Sequence, residues 1–288
     1  MRAPKIIVAG LVVVFALSLL TVSVQSAAGM QRPPNKVEAK PQGRVGIPKE
    51  LKAIIQEGLT TRQGRQDIPF TVFKDLYFPA REPQNLCSVF FFKAVNEALG
   101  LATPTLPPAA PVSKKEQKAP AVPAQTGVLE AHLNVVLEFF QQDETGAPKL
   151  FHELVVPTIF QEDSATYDPK KEQWYSFYYV LPAGKYTMAM AITTRDLKKI
   201  GLAYYDFVLP GPDAYAKALD TTPPIFTKSL EQVQTPETRI SVHKGMFTYG
   251  AIQIVPDLDG KVPVGGQAEV FFFILGAKPK PAAAEPGQ

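Results

Sequence analysis

From Ile68 to Leu209 the apolar residues recur with a period of two, and no other feature of this chain narrows its fold as much. Successive side chains of a strand point to opposite faces, so such alternation describes sheets with one face shut away from water and the other wet. The pattern predicts strands near 69–77, 86–96, 128–140, 149–160, 173–181, 185–194 and 201–209. The third is the cleanest: Leu129, Ala131, Leu133, Val135, Leu137 and Phe139 share one face, while Glu130, His132, Asn134 and Glu138 lie on the other. The sixth sets Tyr186, Met188, Met190 and Ile192 against Thr187, Ala189, Ala191 and Thr193. The chain is therefore expected to be all-β, built as two antiparallel sheets facing each other over residues 67–210.

The approach to the sixth strand sharpens that expectation. In Leu181-Pro182-Ala183-Gly184-Lys185-Tyr186 the Pro and Gly suit a tight turn, and a Tyr opening the next strand can drop its ring into the core while its hydroxyl bonds nearby backbone. That arrangement resembles the tyrosine corner of immunoglobulin-like sandwiches, and seven short strands divided by Pro, Gly and Asp turns suit the same fold. The expected class is an immunoglobulin-like antiparallel β-sandwich with a short N-terminal helix and a partial second β unit.

The helix is read from Pro48, placed where a helix takes a proline at its first position, and from Leu51, Ile54 and Ile55, which recur at helical spacing until Gly58 ends the pattern. With a linker it occupies 47–66, and so short an apolar stripe is stable only when packed on something else. Residues 29–46 read as a flexible tether, and 103–126, rich in Pro and Ala, as an insertion between the second and third strands.

After a linker at 211–224 an echo appears: Phe78-Pro79 and Leu86-Cys87-Ser88-Val89-Phe90-Phe91-Phe92 return as Val255-Pro256 and Gln267-Ala268-Glu269-Val270-Phe271-Phe272-Phe273. Residues 225–276 thus read as the opening pair of strands of a second sandwich, before a Pro/Ala-rich tail at 277–288. Two strands alone are marginal in water. The unit is expected to dock on the first sandwich, to self-associate through its open edge, or to continue in a longer gene.

At the N-terminus, basic Arg2 and Lys5 precede an apolar run from Ile6 to Leu20 and the small residues Ser26, Ala27 and Ala28, the order of a secretory signal cleaved after Ala28. The alternative is an uncleaved anchor, since the run extended to Val24 approaches the roughly 20 residues that span a bilayer. Either reading makes the protein exported, periplasmic or extracellular, with contact to a membrane only through an uncleaved segment. Removing Arg2 and Lys5 lowers the formal charge from +3 to +1, which argues against nucleic acid as a partner. Cys87, the single cysteine, has no partner for an internal disulfide and reads as a small buried residue.

The stretch from Pro48 through Phe92, the Leu181–Tyr186 turn and Val270-Phe271-Phe272-Phe273 together resemble the immunoglobulin-like regions of exported bacterial proteins of the GWxTD and acidobacterial von Willebrand-A-related kinds. No Gly-Trp pair occurs, and Asp163-Ser164-Ala165-Thr166-Tyr167 lacks the serine pattern of a von Willebrand-type metal site. The resemblance implies architecture and export, with no activity to transfer.

Chemistry-bearing motifs are sparse. His132, His152 and His243 share no metal-ligand spacing with one another or with a cysteine, and no Gly-x-Ser-x-Gly elbow occurs. Glu130, Glu138 and Glu153 are expected to be solvated on polar strand faces. Asp257, Asp259 and Gly260 start like a calcium loop, but Ala268 stands where its glutamate would, and a polar hairpin turn accounts for them better. No catalytic, metal or cofactor-binding residue is therefore named, and no cofactor is expected.

The one candidate contact surface is the run Trp174-Tyr175-Ser176-Phe177-Tyr178-Tyr179. A strand cannot bury all of these rings in one core, so either Trp174 and Tyr178 or Tyr175, Phe177 and Tyr179 face outward, to meet a sugar or a protein unless the helix or the second unit covers them. The expected function is a non-catalytic interaction or structural module of the cell envelope, with protein or envelope glycan as partner. A glycan-binding accessory protein using the aromatic strand and a cryptic hydrolase are the alternatives.

Overall fold

The computed structural model describes residues 46–82, 84–104, 127–214, 219–237, 239–261 and 264–276. The expected export segment, the tether up to residue 45, the insertion from 105 to 126 and the tail from 277 lie outside the described residues. The elements in chain order are α1 (Lys49–Thr61), β1 (Phe70–Pro79), β2 (Asn85–Val95), α2 (Asn96–Leu99), β3 (Val128–Gln142), β4 (Pro148–Asp163), β5 (Glu172–Pro182), β6 (Gly184–Thr194) and β7 (Ile200–Leu209). They continue with β8 (Asp220–Thr221), β9 (Ile225–Gln232), β10 (His243–Lys244), β11 (Phe247–Tyr249), β12 (Ile252–Pro256), β13 (Glu269–Phe271) and β14 (Ile274–Leu275). The seven strands expected from period-two hydrophobicity are β1 to β7, and the fold is all-β.

Two antiparallel sheets enclose the main core. A helix-side sheet runs β4-β3-β6-β7 and a central sheet runs β1-β2-β5-β10. Between them lie Ala131, Leu133, Val135, Leu137 and Phe139 of β3 and Tyr186, Met188, Met190 and Ile192 of β6, facing Phe90 and Phe92 of β2 and Tyr175 and Phe177 of β5. Both alternating faces thus point as the sequence predicts. The Tyr186 ring is 1% exposed and stacks on Phe207 at 5.3 Å, while its hydroxyl donates to the Pro182 carbonyl at 3.0 Å. Pro182 cannot continue the ladder as a donor and Gly184 takes φ 155°, so the chain turns from one sheet to the other there and the tyrosine bonds the corner.

The two sheets are also joined on the β7 side. Leu202 N donates to Arg65 O at 2.8 Å and Asp67 N to Ile200 O at 3.1 Å, so the chain leans on β7 before crossing into the central sheet as β1. Gly201 permits the crossing, because a Cβ there would sit 1.9 Å from Ile68 O.

The expected wet faces are covered. On the helix-side sheet, Leu51, Ile55 and Leu59 of α1 pack against Val136, Phe140, Ala189, Ala191, Ile200 and Leu202. The helix runs through Gly58, expected to end it, and stops at Arg62, which takes the left-handed φ of 58°. Gly58 is kept bare by a neighbour: a Cβ would lie 2.4 Å from the Tyr204 hydroxyl.

On the central sheet, a register shift between Val72 and Lys74 turns β1 over. One extra residue exchanges the faces of everything beyond it. Phe70 and Val72 therefore enter the main core, whereas Leu76 and Phe78 point to the opposite side. There they join Cys87, Val89 and Phe91 of β2 in a third cluster with Ile225, Phe247 and Ile254. This is the second β unit, an outer sheet ordered β11-β12-β9-β13, lying on the central sheet.

Its topology corrects the expected repeat. In the first copy β1 and β2 pair with each other, but β12 and β13 do not: both pair with β9, which lies between them. The turn at Asp257–Gly260, closed by Gly260 N to Asp257 O at 3.3 Å, is thus not the bend of a hairpin. The two copies also differ in burial. β2 is buried on both faces, whereas Val270, Phe272 and Ile274 are exposed and alternate with Phe271 and Phe273, which pack inward. All described residues fall within one compact unit.

Candidate functional site

The aromatic run lies on β5, an interior strand between β2 and the short β10. Tyr175 and Phe177 are 2% and 1% exposed and stack on Phe92 and Phe90, both at 5.3 Å. Tyr179 points to the same core, stacked 4.9 Å from Phe139 and 5.3 Å from His152. Trp174 and Tyr178, on the other face, are half-buried against the cluster beneath the outer sheet, with Trp174 5.8 Å from Phe91. The outward presentation on which a β5 glycan surface depends is therefore corrected: the second β unit covers one face and the sandwich core the other. The cause is tertiary, since the covering strands follow β5 by more than forty residues.

The histidines are each tied into the fold. His132 reaches Glu130 at 3.1 Å in an exposed contact, and His243 reaches Glu237 at 2.9 Å. Glu237 also accepts from Thr248 Oγ1 at 3.2 Å and, through its backbone carbonyl, from the Tyr178 hydroxyl at 3.4 Å, closing the loop before β11. Cys87 is buried in the third cluster, and desolvation pushes its thiol up to about 12. Among the described residues no group of three or more His, Cys, Asp or Glu is placed to hold a metal ion, and no helix is long and apolar enough to cross a membrane.

Two features were not expected from sequence. The first lies under α1. Glu138 of β3 and Glu153 of β4 are direct cross-strand partners, and Glu138 is 1% exposed, with no hydrogen bond to its Oε2. Lys52 of α1 reaches over to Glu153, with Nζ 2.8 Å from Oε1 and 2.6 Å from Oε2. Burial, and then the neighbouring Glu153 carboxylate, push the Glu138 carboxyl up to about 7 against the pull of Lys52. The expected solvation of Glu138 is thus corrected: alternation placed it on the polar face, and a helix some eighty residues earlier in the chain closes that face.

The second feature is the outward face of the outer sheet. Val270 of β13 stands directly opposite Phe226 of β9, and the two are 42% and 39% exposed. Phe272 and Ile274 follow just beyond the outer sheet, 44% and 61% exposed, Ile274 opening β14, which pairs with β8. The spacing 270, 272, 274 was available in the sequence as a half-buried strand signal, but the run of three phenylalanines masked it. No family model, curated protein or solved structure matches this chain.

Proposed function

We propose that the protein is a non-catalytic, exported interaction module of the cell envelope, built on an immunoglobulin-like sandwich, and that it engages its partner through the outward face of the outer sheet. The observation that carries the reading is the pair Phe226 and Val270: large apolar side chains directly opposite each other on a sheet whose other face is already committed to the core, with Phe272 and Ile274 exposed just beyond them along the chain. Grouped exposed apolar side chains mark contact surfaces, whereas single ones do not. The strand order and the Tyr186 corner support the immunoglobulin-like reading, and the basic-apolar-small N-terminus supports export.

The test is a photo-crosslinking amino acid at position 272 or 226 in the native cell. A reproducible envelope adduct is expected, the one from position 272 being lost on Phe226→Ser with Val270→Ser while the far-ultraviolet spectrum is unchanged. No adduct from either position, with adducts forming from control positions on β4, would reject this face as the contact surface.

A further inference from the structure

The interface between α1 and the helix-side sheet contains two carboxyls and one ammonium, Glu138, Glu153 and Lys52, leaving one charge unbalanced when both acids ionise. Every element around Glu138 can be accounted for. β4 presents Glu153, α1 presents Lys52, β7 presents the Tyr204 phenol, and β6 presents Ala189 directly opposite. On its own strand the neighbours on that face are Val136 and Phe140, both buried. Lys52 is committed to Glu153, so the buried Glu138 oxygen has no donor of its own.

The rest of the helix is held by contacts that leave no charge unbalanced. Tyr204 donates its hydroxyl to Ile55 O at 2.6 Å, and Arg62, at the helix end, pairs with Asp206 at 3.1 Å and donates to Thr187 Oγ1 at 3.0 Å. The charge imbalance is thus confined to one patch between α1 and the β3–β4 pair. When α1 lifts, water reaches Glu138 as it already reaches the part-exposed Glu153, and the cost of burying the unpaired charge is removed.

We propose that α1 is a proton-linked strap: a single proton on buried Glu138 holds the helix on the sheet, and its loss loosens the helix and bares the apolar face beneath. Glu138 binds its proton more tightly docked than released, so the strap is tightest below the released value and weakens as pH rises through the docked one. The face it would bare comprises Val136, Phe140, Ala189, Ala191, Ile200 and Leu202.

Hydrogen exchange of the full chain, corrected for intrinsic rates, tests this. With Glu138 moving from 4.5 released to about 7 docked, the opening constant of α1 should rise about thirtyfold between pH 5.5 and 8.5, relative to amides of β6. Glu138→Gln should remove that dependence. Should Glu138→Gln fail to fold, Lys52→Gln serves: losing the cation beside the two carboxyls should move the midpoint of the dependence to higher pH. An α1 opening constant unchanged by pH, a Glu138→Gln profile identical to that of the parent chain, or an unmoved Lys52→Gln midpoint would each overturn the proposal.

Discussion

Phe78→Ala tests the packing of the outer sheet on the central one. The ring is fully buried, and its centroid lies 5.8 Å from Phe247, 5.3 Å from Tyr249, 5.8 Å from Phe271 and 5.9 Å from Phe273. All four partners belong to the second β unit, so the ring is the main aromatic link across that interface. Truncating a buried phenylalanine to alanine costs about 3–5 kcal/mol through lost transfer energy and the cavity left behind. Aromatic pairs add about 0.5–1.5 kcal/mol beyond burial, which places this site at the upper end.

The assay is urea unfolding followed in parallel by far-ultraviolet dichroism and by emission of Trp174, the single tryptophan, which packs in the same cluster. The tryptophan transition should move to markedly lower urea, corresponding to about 4 kcal/mol. The dichroism transition should move less, because the main core lies on the other side of the central sheet. Phe272→Ala, at an exposed position, should change stability by no more than about 0.5 kcal/mol. A loss below about 1 kcal/mol for Phe78→Ala, or a tryptophan transition that does not move, would refute the reasoning.

Three further outcomes are expected. Tyr186→Phe keeps the stacked ring but leaves the Pro182 carbonyl without its donor, and calorimetry should show a loss of about 1 kcal/mol. Gly58→Ala should destabilise by about 2 kcal/mol in urea titration despite the better helix propensity of alanine, because its Cβ would press on Gln63 O and the Tyr204 hydroxyl; a gain in stability would contradict that contact. Cys87 should resist alkylation by iodoacetamide at pH 8 in the folded chain and react promptly in denaturant, because desolvation holds the thiol up at about 12.

The strands were legible because period-two alternation is a local signal, and β3 and β6 carry it almost without interruption. The Tyr186 corner was legible for the same reason: turn, ring and acceptor lie within five residues. What covers each sheet was not, because those contacts join distant segments. Glu138 sits on the polar face of β3 by pattern, and only α1 makes that face an interior. The register shift in β1 gave no local warning, yet it decides that Phe78 meets the outer sheet and not the main core. One signal was present and pointed the right way. The unbroken apolar run Val89–Phe92 lacks alternation, as a strand buried on both faces should. The echo at 270–274 has similar residues but keeps the alternation, and it is split between β13, at the edge of the outer sheet, and β14, paired with β8.

Everything argued for the contact surface rests on which side of the outer sheet is dry. Radical footprinting of the native chain reads this residue by residue. Phe78, Phe91 and Phe247 should remain unmodified while Phe226 and Phe272 are oxidised. Modification of Phe78 and Phe91 at rates matching Phe272 would mean that the outer sheet does not cover the central one, and the account would fail.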